Sequence, residues 1–324
     1  MKAVICEKYE DLEQLKFGEV AAPVPGAGEV RVDIDAVGVN FPDALLVQGA
    51  YQLKPDLPFI VGCEFMGRVS ALGAVVSQWQ VGDRVMGFVD YGAFAETVVA
   101  PMQQLVTVPD FVSDTQAAGI LCSHGTAHHA LKQRARLTAG ETLLVLGAAG
   151  ATGLAAVQIG KAMGARVIAA CSTAEKLQVA RDSGADETIN YSEEQLGKAI
   201  KVLTAGLGVD VVFDPLGGEA FIACSRVMAR NGRLLVVGFA TGTIPSLPVN
   251  LALVKEYSVV GVFFGSFARH EPVKFKENME ELFSWYREGR VAVNVDAILP
   301  LADAGVALRK IMARQVTGKI VLTV

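Results

Sequence analysis

Three glycines within one short segment have the spacing of a phosphate-binding turn. Segment 142–164 reads TLLVLGAAGATGLAAVQIGKAMG, in which an apolar run leads into Gly147, Gly150 and Gly153 and then into an alanine-rich stretch. In a strand–turn–helix unit the first glycine permits the tight turn, the second lets the backbone approach a pyrophosphate, and the third lets the helix pack on the strand. Free amide groups at the start of the helix then hold the phosphates. The predicted dinucleotide contacts are those of Gly147, Ala149, Gly150, Ala151, Thr152 and Gly153.

The residues after the next apolar run indicate which dinucleotide binds. The glycine spacing departs from the commoner G-x-G-x-x-G, but a second run, 165–171, follows where a βαβ unit requires a strand. An NAD site usually has Asp or Glu at the end of that strand. Here Ser172 stands at the strand end and can form a hydrogen bond, and Lys176 falls in the first turn of the next helix. A cation there opposes the helix dipole unless it binds a 2′-phosphate, which favours NADPH over NADH. The alternative is an exposed lysine that the position tolerates.

Regular alternation of apolar runs and helical segments places this turn in a larger sheet. Predicted strands lie at 142–147, 165–171, 186–190, 209–214, 232–238 and 257–264, with helices at 150–163, 174–183, 193–204 and 218–229. Such alternation is typical of a parallel sheet with helices on both faces. The first third instead has short strand-like runs, including 29–37, 67–72 and 93–100. Two helices are predicted between these regions, at 114–121 and 125–135. The predicted fold class is α/β: a Rossmann parallel sheet domain inserted in a β-rich domain that both ends of the chain build, with the active site expected in the cleft between the domains.

Composition and charge argue against several classes of protein. The chain of 324 residues has a net charge of −5 at pH 7, so it offers no basic surface for nucleic acid, and 52% of its residues are hydrophobic, as in a well-buried enzyme. No uninterrupted apolar run is long enough to span a bilayer. The N-terminal segment carries charges where a secretory signal needs an apolar stretch, and the five cysteines include no C-x-x-C pair. We therefore expect a cytoplasmic protein with reduced thiols.

Several longer motifs resemble the zinc-free quinone oxidoreductase branch of the medium-chain dehydrogenase/reductase superfamily. Besides the AAGATG turn they are the segments at 37–51 (VGVNFPDALLVQGAY), 57–69 (LPFIVGCEFMGRV), 81–85 (VGDRV), 125–131 (GTAHHAL), 209–218 (VDVVFDPLGG), 235–239 (LVVGF) and 259–265 (VVGVFFG). The resemblance implies a GroES-like catalytic domain at 1–121 and 267–324 and an NADP-binding Rossmann domain at 122–266. It also implies that NADPH delivers a hydride to a quinone, or to a carbon–carbon double bond conjugated to a carbonyl.

The same resemblance assigns further residues to the cofactor. Lys176, Tyr191 and Arg314 match residues that surround the 2′-phosphate in such reductases. Apart from the resemblance, Tyr191 could be a packed aromatic residue and Arg314 a solvated helix end. Around the nicotinamide and its ribose, the implied contacts are those of Thr126, Gly238, Phe239, Val262, Phe263 and Phe264.

Asn40, Cys63 and Cys122 occupy the places of the catalytic zinc ligands in zinc-dependent relatives. Asn40 is a neutral amide and a poor zinc donor, and both cysteines fall in apolar contexts where small buried thiols are common. The four closely spaced cysteines of a structural zinc lobe are also missing. The histidines within 124–129 lie on one predicted helical segment without a partner carboxylate motif. We therefore predict that this chain holds no metal.

Without a metal to polarise an alcohol, reduction of a conjugated acceptor is the favoured chemistry, because the carbonyl already spreads the incoming charge. The protein must then hold the nicotinamide against the acceptor and stabilise an enolate or quinol anion. The candidate hydrogen-bond donors are the Asn40 amide and the Tyr51 phenol, and either Tyr51 or solvent delivers the proton. The alternatives are a turn-stabilising Asn40 and an aromatic lid formed by Tyr51. Glu64 is predicted to be an internal hydrogen-bonded carboxylate, and Asp43 to cap the following helix.

The function predicted from these residues is that of an NADPH-dependent, zinc-independent reductase of quinones or enones. An enoyl-thioester or haloacrylate reductase is the alternative within the same enzyme class. A non-catalytic, crystallin-like NADPH-binding protein is the alternative outside it. The apolar run at 259–264 is expected to form an uncovered sheet edge, so we predict a homodimer whose sheet continues across the subunits. The expected partner is otherwise a small-molecule substrate, with neither nucleic acid nor membrane.

Overall fold

The chain forms two units that alternate along the sequence. The computed structural model describes residues 1–9 and 12–324. Unit 1 contains residues within 1–122 together with 267–279 and 293–324, and unit 2 contains 123–266 and 280–292. Both ends of the sequence therefore belong to unit 1, and the long central stretch builds unit 2.

Unit 1 consists mainly of strands. Its first elements are β1 (Lys2–Cys6), β2 (Lys16–Glu19), β3 (Glu29–Val39), α1 (Phe41–Val47), β4 (Phe59–Ile60), β5 (Glu64–Leu72), β6 (Arg84–Phe88), β7 (Thr97–Pro101) and β8 (Leu105–Thr107). The strand predicted at 93–100 is shorter than expected and starts at Thr97. The early part of β3 alternates between buried and more exposed residues, whereas residues 36–39 are all buried. Asn40, the next residue, therefore follows a stretch of strand that is covered on both faces.

Helix α2 (Asp114–His128) continues directly into a π-helical turn at His129–Arg134. The prediction of two separate helices, at 114–121 and 125–135, is wrong. No proline interrupts the segment between them, and Gly125 is retained within the helix. A Cβ atom on Gly125 would lie 2.6 Å from the Phe264 ring, so this glycine makes room for a packed aromatic side chain instead of ending the helix.

Unit 2 contains the parallel sheet. Its elements are β9 (Thr142–Leu146), α3 (Ala151–Ala162), β10 (Arg166–Cys171), α4 (Ala174–Asp182), β11 (Glu187–Asn190), α5 (Leu196–Leu203), β12 (Val209–Asp214), α6 (Gly218–Ser225), β13 (Met228–Val236), α7 (Asn250–Lys255) and β14 (Ser258–Gly261). The strands pair in parallel in the order β11-β10-β9-β12-β13-β14. From β9 the chain adds β10 and β11 on one side of the sheet and then β12, β13 and β14 on the other, so the strand order reverses between β9 and β12. Ligands of such sheets bind outside the carboxyl ends of the strands at that point.

Two boundaries in unit 2 differ from the prediction. Strand β13 begins at Met228, inside the helix predicted for 218–229, because Met228 already pairs with Val209. The strand predicted for 257–264 ends at Gly261. Its partner β13 ends at Val236, whose carbonyl accepts the Val262 amide hydrogen, so there is no strand beyond that point with which to pair.

The last elements return the chain to the large sheet of unit 1. They are α8 (Phe264–His270), α9 (Pro272–Arg287), β15 (Val295–Pro300), α10 (Ala304–Met312) and β16 (Lys319–Thr323). Strand β16 pairs antiparallel with β3 and parallel with β15, which gives the order β15-β16-β3-β5-β6-β8, and β7 also pairs with β3. The predicted fold class is confirmed, because a parallel α/β sheet is inserted between the two stretches that build a β-rich sheet.

Each unit has its own apolar core. Strands β3 and β5 supply Val32, Val37 and Phe65 to the core of unit 1, and Leu144 and Ile168 belong to the core of unit 2. Among the described helices, none combines the length and the apolar composition that crossing a bilayer requires.

Candidate active site

The turn after β9 has the geometry that its three glycines predict. Gly147 has a φ of +58°, a left-handed conformation that favours glycine. A Cβ atom on Gly153 would overlap the Gly147 carbonyl oxygen and lie 2.8 Å from the Cα atom of Ala148, so only glycine lets α3 approach the turn this closely. Gly150 precedes α3 without a side-chain cap, and a Cβ atom there would meet no protein atom nearer than 3.5 Å. The turn therefore offers open space and uncapped helix-end amides to an anion.

The remaining predicted residues of this loop lie in the same turn. Ala149 is buried within it, and Ala151 and Thr152 form the first turn of α3. Their backbone amides are at the end of the helix where its dipole is positive.

Three predicted cofactor contacts lie at the carboxyl ends of β10 and β11. The Tyr191 amide donates to the Cys171 carbonyl at 3.1 Å, so the two strands still pair where Ser172 and Tyr191 follow them. Thr173 caps α4 by accepting the amide hydrogen of Lys176, which places Lys176 in the first turn of that helix. The structure thus brings Ser172, Lys176 and Tyr191 to one edge of the sheet, on the strands next to the glycine turn.

The loop after β13 carries Gly238 and Phe239. The Gly238 amide donates to the Asp214 carbonyl at 3.3 Å, which ties the loop to the end of β12. A Cβ atom on Gly217 would lie 2.9 Å from the Phe239 ring, so the turn after β12 accommodates this ring only because it has glycine there. Gly238 and Phe239 therefore lie at the same carboxyl edge as the glycine turn.

Thr126 and the segment after β14 meet through one aromatic contact. Val262 directly follows β14, Phe263 is exposed, and Phe264 is buried. The Phe264 ring packs against Gly125, which is the neighbour of Thr126 in α2. Residues far apart in the sequence are thus brought into contact, and their assignment to the nicotinamide stays a prediction from resemblance.

Arg314, the third predicted 2′-phosphate ligand, belongs to unit 1 and not to unit 2. It follows α10 and has a φ of +57°, a left-handed conformation that is uncommon for a residue other than glycine. Its assignment to the phosphate remains a prediction from resemblance.

In unit 1 the Asn40 side chain lies between two buried charges. Because β3 and β16 pair antiparallel, Asn40 and Lys319 stand next to each other at the ends of their paired stretch. The Lys319 ammonium donates to Asn40 Oδ1 at 2.6 Å and to Glu64 Oε2 at 2.7 Å. Asn40 Nδ2 donates to the same Glu64 oxygen at 3.0 Å and to the Gly38 carbonyl at 3.1 Å. Glu64 Oε1 accepts the Cys122 amide hydrogen at 2.8 Å, so Glu64 is the internal, hydrogen-bonded carboxylate that the sequence predicts.

Lys319 is a site residue that the sequence reasoning did not identify. It is 2% exposed and its partner Glu64 is 0% exposed. Burial alone would lower the pKa of Lys319, but the Glu64 carboxylate outweighs that effect and the pKa is raised, so the lysine keeps its proton. One signal was available: a lysine that opens the apolar run 319–324 needs a buried partner if the run is a core strand. That partner lies 255 residues earlier in the chain, and the sequence pattern does not identify it.

Two thiols and a second carboxyl group adjoin this ion pair. A hydrogen bond with Cys122 and burial raise the pKa of Cys63 well above its usual value. The same hydrogen bond lowers the pKa of Cys122, but burial and the Glu64 charge outweigh it, so this pKa is also raised. Asp43 accepts the Asn40 backbone amide hydrogen at 2.7 Å, as expected for a residue that caps α1. Burial raises the pKa of Asp43 to about 7.

The Tyr51 side chain is half-buried. None of the residues in 1–9 and 12–324 exchanges a hydrogen bond with this hydroxyl. Burial, together with the nearby Cys63 and Cys122, raises the pKa of Tyr51 to about 12. The phenol is therefore protonated at neutral pH and can act as a hydrogen-bond donor.

The groups at the places of the zinc ligands do not fit a zinc ion. The oxygen of Asn40 already accepts from an ammonium, which would repel a dication. Zinc binds thiolates, and in the metal-free protein burial raises the pKa of both Cys63 and Cys122, which disfavours that form. In the described part of the chain, no group of three or more His, Cys, Asp or Glu side chains is placed to hold a metal ion.

The histidines of α2 have partners that the sequence reasoning did not foresee. His128 Nε2 lies 2.7 Å from Glu281 Oε2, a carboxylate partner 153 residues away in the sequence. Burial lowers the pKa of His128 to about 4, and the imidazole is neutral at pH 7. Lys132 shares the same carboxylate. Glu281 thus forms an ion pair with Lys132 and a hydrogen bond with His128. These contacts account for the burial of His128 without a metal ion.

Comparison with known proteins places both units in one family. Residues 26–110 match the family model of the alcohol dehydrogenase GroES-like domain, and residues 151–285 match that of the zinc-binding dehydrogenase. The chain is 38% identical over 323 residues to quinone oxidoreductase-like protein 2 of Rattus norvegicus, which covers 99% of this chain and 92% of the relative.

Solved structures agree over the full length. A mycobacterial protein solved with NADPH is 33% identical, with a TM-score of 0.95 and complete coverage of both chains. The Escherichia coli quinone oxidoreductase, also solved with NADPH, is 28% identical, with a TM-score of 0.94 and again complete coverage of both chains.

Proposed function

Since the chain belongs to the quinone oxidoreductase branch of the medium-chain dehydrogenase/reductase superfamily, we propose that it is an NADPH-dependent reductase of quinones or enones. The observation that carries the choice of acceptor is the Tyr51 hydroxyl, a protonated donor without a partner among the described residues. A carbonyl oxygen that gains negative charge during reduction needs such a donor.

We assign NADPH binding to the carboxyl edge of the unit 2 sheet. The glycine turn and the start of α3 hold the pyrophosphate, while Ser172, Lys176 and Tyr191 hold the 2′-phosphate. The nicotinamide half is bound by Thr126, Gly238, Phe239, Val262, Phe263 and Phe264. Two similar proteins were solved with NADPH and share the fold over their whole length, which supports this assignment.

In unit 1, Tyr51 and Asn40 are the proposed catalytic residues. Tyr51 donates directly to the acceptor oxygen. Both amide hydrogens of Asn40 are engaged by Gly38 and Glu64, so Asn40 becomes a second donor by exchanging one of these acceptors for the substrate. A phenol with a pKa of about 12 is a weak acid at neutral pH, so we assign the final protonation to solvent.

We further propose that this chemistry is independent of zinc. Support comes from the donor set, in which an amide held by an ammonium and two buried thiols with raised pKa values stand at the places of metal ligands. A conjugated acceptor can be reduced without a Lewis acid because its own carbonyl delocalises the charge that the hydride brings.

We also propose a homodimer that forms through β14. This strand ends the order of the unit 2 sheet, and Val259 within it and Phe263 after it are exposed apolar residues. An apolar strand at a sheet edge pairs readily with a second copy. Sedimentation velocity at micromolar concentration tests the assignment, and a monomer would contradict it.

The test of function is steady-state oxidation of NADPH with a panel of 1,2-quinones, 1,4-quinones, enones and acrylyl compounds. We expect turnover with at least one quinone or enone, and Tyr51→Phe is expected to lower kcat on that acceptor by about 100-fold. Exclusive turnover of acrylyl compounds would move the assignment to an enoyl-thioester or haloacrylate reductase. NADPH binding without any turnover would identify a non-catalytic binding protein.

A further inference from the structure

Lys319 is held where a lysine is rarely found. Its side chain is 1% exposed, and it enters the interior at the first position of β16, between the apolar core and the end of β3. Fully buried lysines occur almost only with a compensating partner. Here Glu64 is that partner, and the ammonium donates a second hydrogen bond to the Asn40 amide oxygen.

The ion pair holds the Asn40 amide at both ends. An ammonium only donates, so it selects the oxygen end of the amide. The carboxylate only accepts, so it selects the nitrogen end. With Oδ1 turned to Lys319, Nδ2 is left facing Glu64, the Gly38 carbonyl and, at 3.6 Å, the Cys63 sulfur. A rotated amide would set its nitrogen against the ammonium and its oxygen against the carboxylate, with both contacts repulsive.

Two glycines make room for the Lys319 and Glu64 side chains. A Cβ atom on Gly38 would lie 2.5 Å from Glu64 Oε2 and 2.8 Å from Lys319 Cε, so any larger residue displaces the pair. A Cβ atom on Gly119 would lie 3.1 Å from Lys319 Cγ, which leaves room for the aliphatic part of the lysine. Two glycines from different elements thus form the channel in which Lys319 reaches Asn40.

We propose that Lys319 is a positioning residue for the reductase: with Glu64 it fixes the Asn40 amide so that the donor end, and not the acceptor end, is the end that can exchange a partner for the substrate. This inference rests on the proposed function, because only an acceptor that becomes negatively charged needs a donor there. Lys319 also polarises the amide by pulling on its oxygen, which strengthens the N–H groups at the other end. The positive charge that zinc-dependent relatives obtain from a metal is here an ammonium that acts through Asn40.

A double-mutant cycle tests whether Lys319 acts through Asn40. Lys319→Met alone leaves a buried, unpaired carboxylate and can fail to fold, so the working variant is Lys319→Met combined with Glu64→Gln, which removes both charges together. We expect it to lower kcat by about tenfold with the quinone that the wild-type protein reduces, while the KM for NADPH stays within about twofold. In an Asn40→Ala background the same two substitutions should cause no further loss. Lys319→Arg, which keeps the charge, should retain more of kcat than the double variant.

Two results would overturn the positioning role: an unchanged kcat in the double variant, or an equal loss in both backgrounds. The orientation can also be measured without turnover, from hydrogen exchange of the Asn40 side-chain amide, assigned by its disappearance in Asn40→Ala. Slow exchange in the wild-type protein and fast exchange in the double variant are expected, and fast exchange in the wild type would contradict the inference whatever the activity. A wild-type protein whose Asn40 side-chain amide exchanges slowly but which reduces no acceptor would overturn the proposed function. The catalytic role of the Lys319–Glu64 pair would then be rejected as well.

Discussion

The two units prepare their functional residues by opposite physical means. In unit 2 the glycine turn works through the absence of side chains: Gly147 supplies a left-handed turn, Gly153 a close approach, and the helix start its uncapped amides. In unit 1 the candidate site is instead built from ionised side chains, because Lys319 and Glu64 are buried next to the Asn40 amide. A backbone site depends on local sequence, whereas a buried ion pair depends on residues that meet only after folding. The consequences of mutation therefore differ between the units.

The largest expected effect is on stability in unit 1. Removing one partner of a buried pair leaves an uncompensated charge, so Lys319→Met is expected to lower the free energy of unfolding by about 3–5 kcal/mol. The matched control is Lys161→Met in unit 2, which breaks the Lys161–Asp186 pair at 2.6 Å, where the side chains are 37% and 36% exposed. Exposed pairs contribute less than about 1 kcal/mol. Urea denaturation of both variants measures the difference, and equal losses would contradict the contrast between the units.

Asp43 should make the stability of the protein depend on pH. Burial raises its pKa from 3.8 to about 7 in the folded state, so the folded chain binds this proton more tightly than the unfolded chain. The resulting stabilisation is complete below the unfolded pKa and is lost as the pH rises through 7, with a size on the order of a few kcal/mol. Asp43→Asn should remove that decline from unfolding free energies measured between pH 4 and 8.

Asp186 in unit 2 is the control of opposite sign. Burial acts to raise its pKa, but the ion pair with Lys161 more than offsets this and lowers it. Its contribution to stability is therefore present above the unfolded pKa and is lost as the pH falls. If Asp43→Asn and Asp186→Asn changed the pH profile in the same direction, the raised pKa assigned to Asp43 would be wrong.

Within the glycine turn, two neighbouring substitutions should separate folding from binding. Gly153→Ala forces a Cβ atom into backbone and should cost about 1–3 kcal/mol of stability. The Cβ atom of Gly150→Ala would have no protein atom nearer than 3.5 Å, so this substitution should leave stability unchanged. It should weaken the binding of NADPH, because the pyrophosphate needs that space. Thermal denaturation with and without NADPH distinguishes the two outcomes. Destabilisation by Gly150→Ala in the absence of the cofactor would count against a binding role for this glycine.

Lys176 should discriminate between the two nicotinamide cofactors. Lys176→Ala is expected to weaken the binding of NADPH by about tenfold and to leave the binding of NADH almost unchanged, because only NADPH carries the 2′-phosphate. Lys198 in α5 serves as a control lysine on the same unit. Fluorescence titration with both cofactors measures the ratio, and an equal loss for NADPH and NADH would reject the assignment.

The smallest expected effect concerns metal removal. Prolonged treatment with a strong chelator should leave kcat and KM unchanged, because the charge near Asn40 is a lysine ammonium. Elemental analysis before and after treatment completes the test. Activity that falls with the chelator and returns with zinc would contradict the zinc-independent reaction.

Prediction from the sequence succeeded where the determining interactions are local. The glycine turn, the parallel strands and the cap of α1 by Asp43 follow from residues within a few positions of one another. The prediction of a break within α2 was wrong. Gly125 is needed there because the Phe264 ring packs against it, and Phe264 is far away in the sequence. The end of β14 was missed for a similar reason, because it depends on the length of a neighbouring strand.

The amino-acid sequence by itself determined the α/β class, the position of the glycine turn and the two candidate donors Asn40 and Tyr51. Backbone preferences and apolar periodicity act over short stretches of chain, so they can be read directly from it. Only the tertiary structure decided that Lys319 meets Glu64 across 255 residues, that Lys319 also donates to the Asn40 amide, and that the Tyr51 hydroxyl has no hydrogen-bond partner among the described residues. A charge can be buried only opposite its partner, and that partner is set by strand pairing and not by sequence distance.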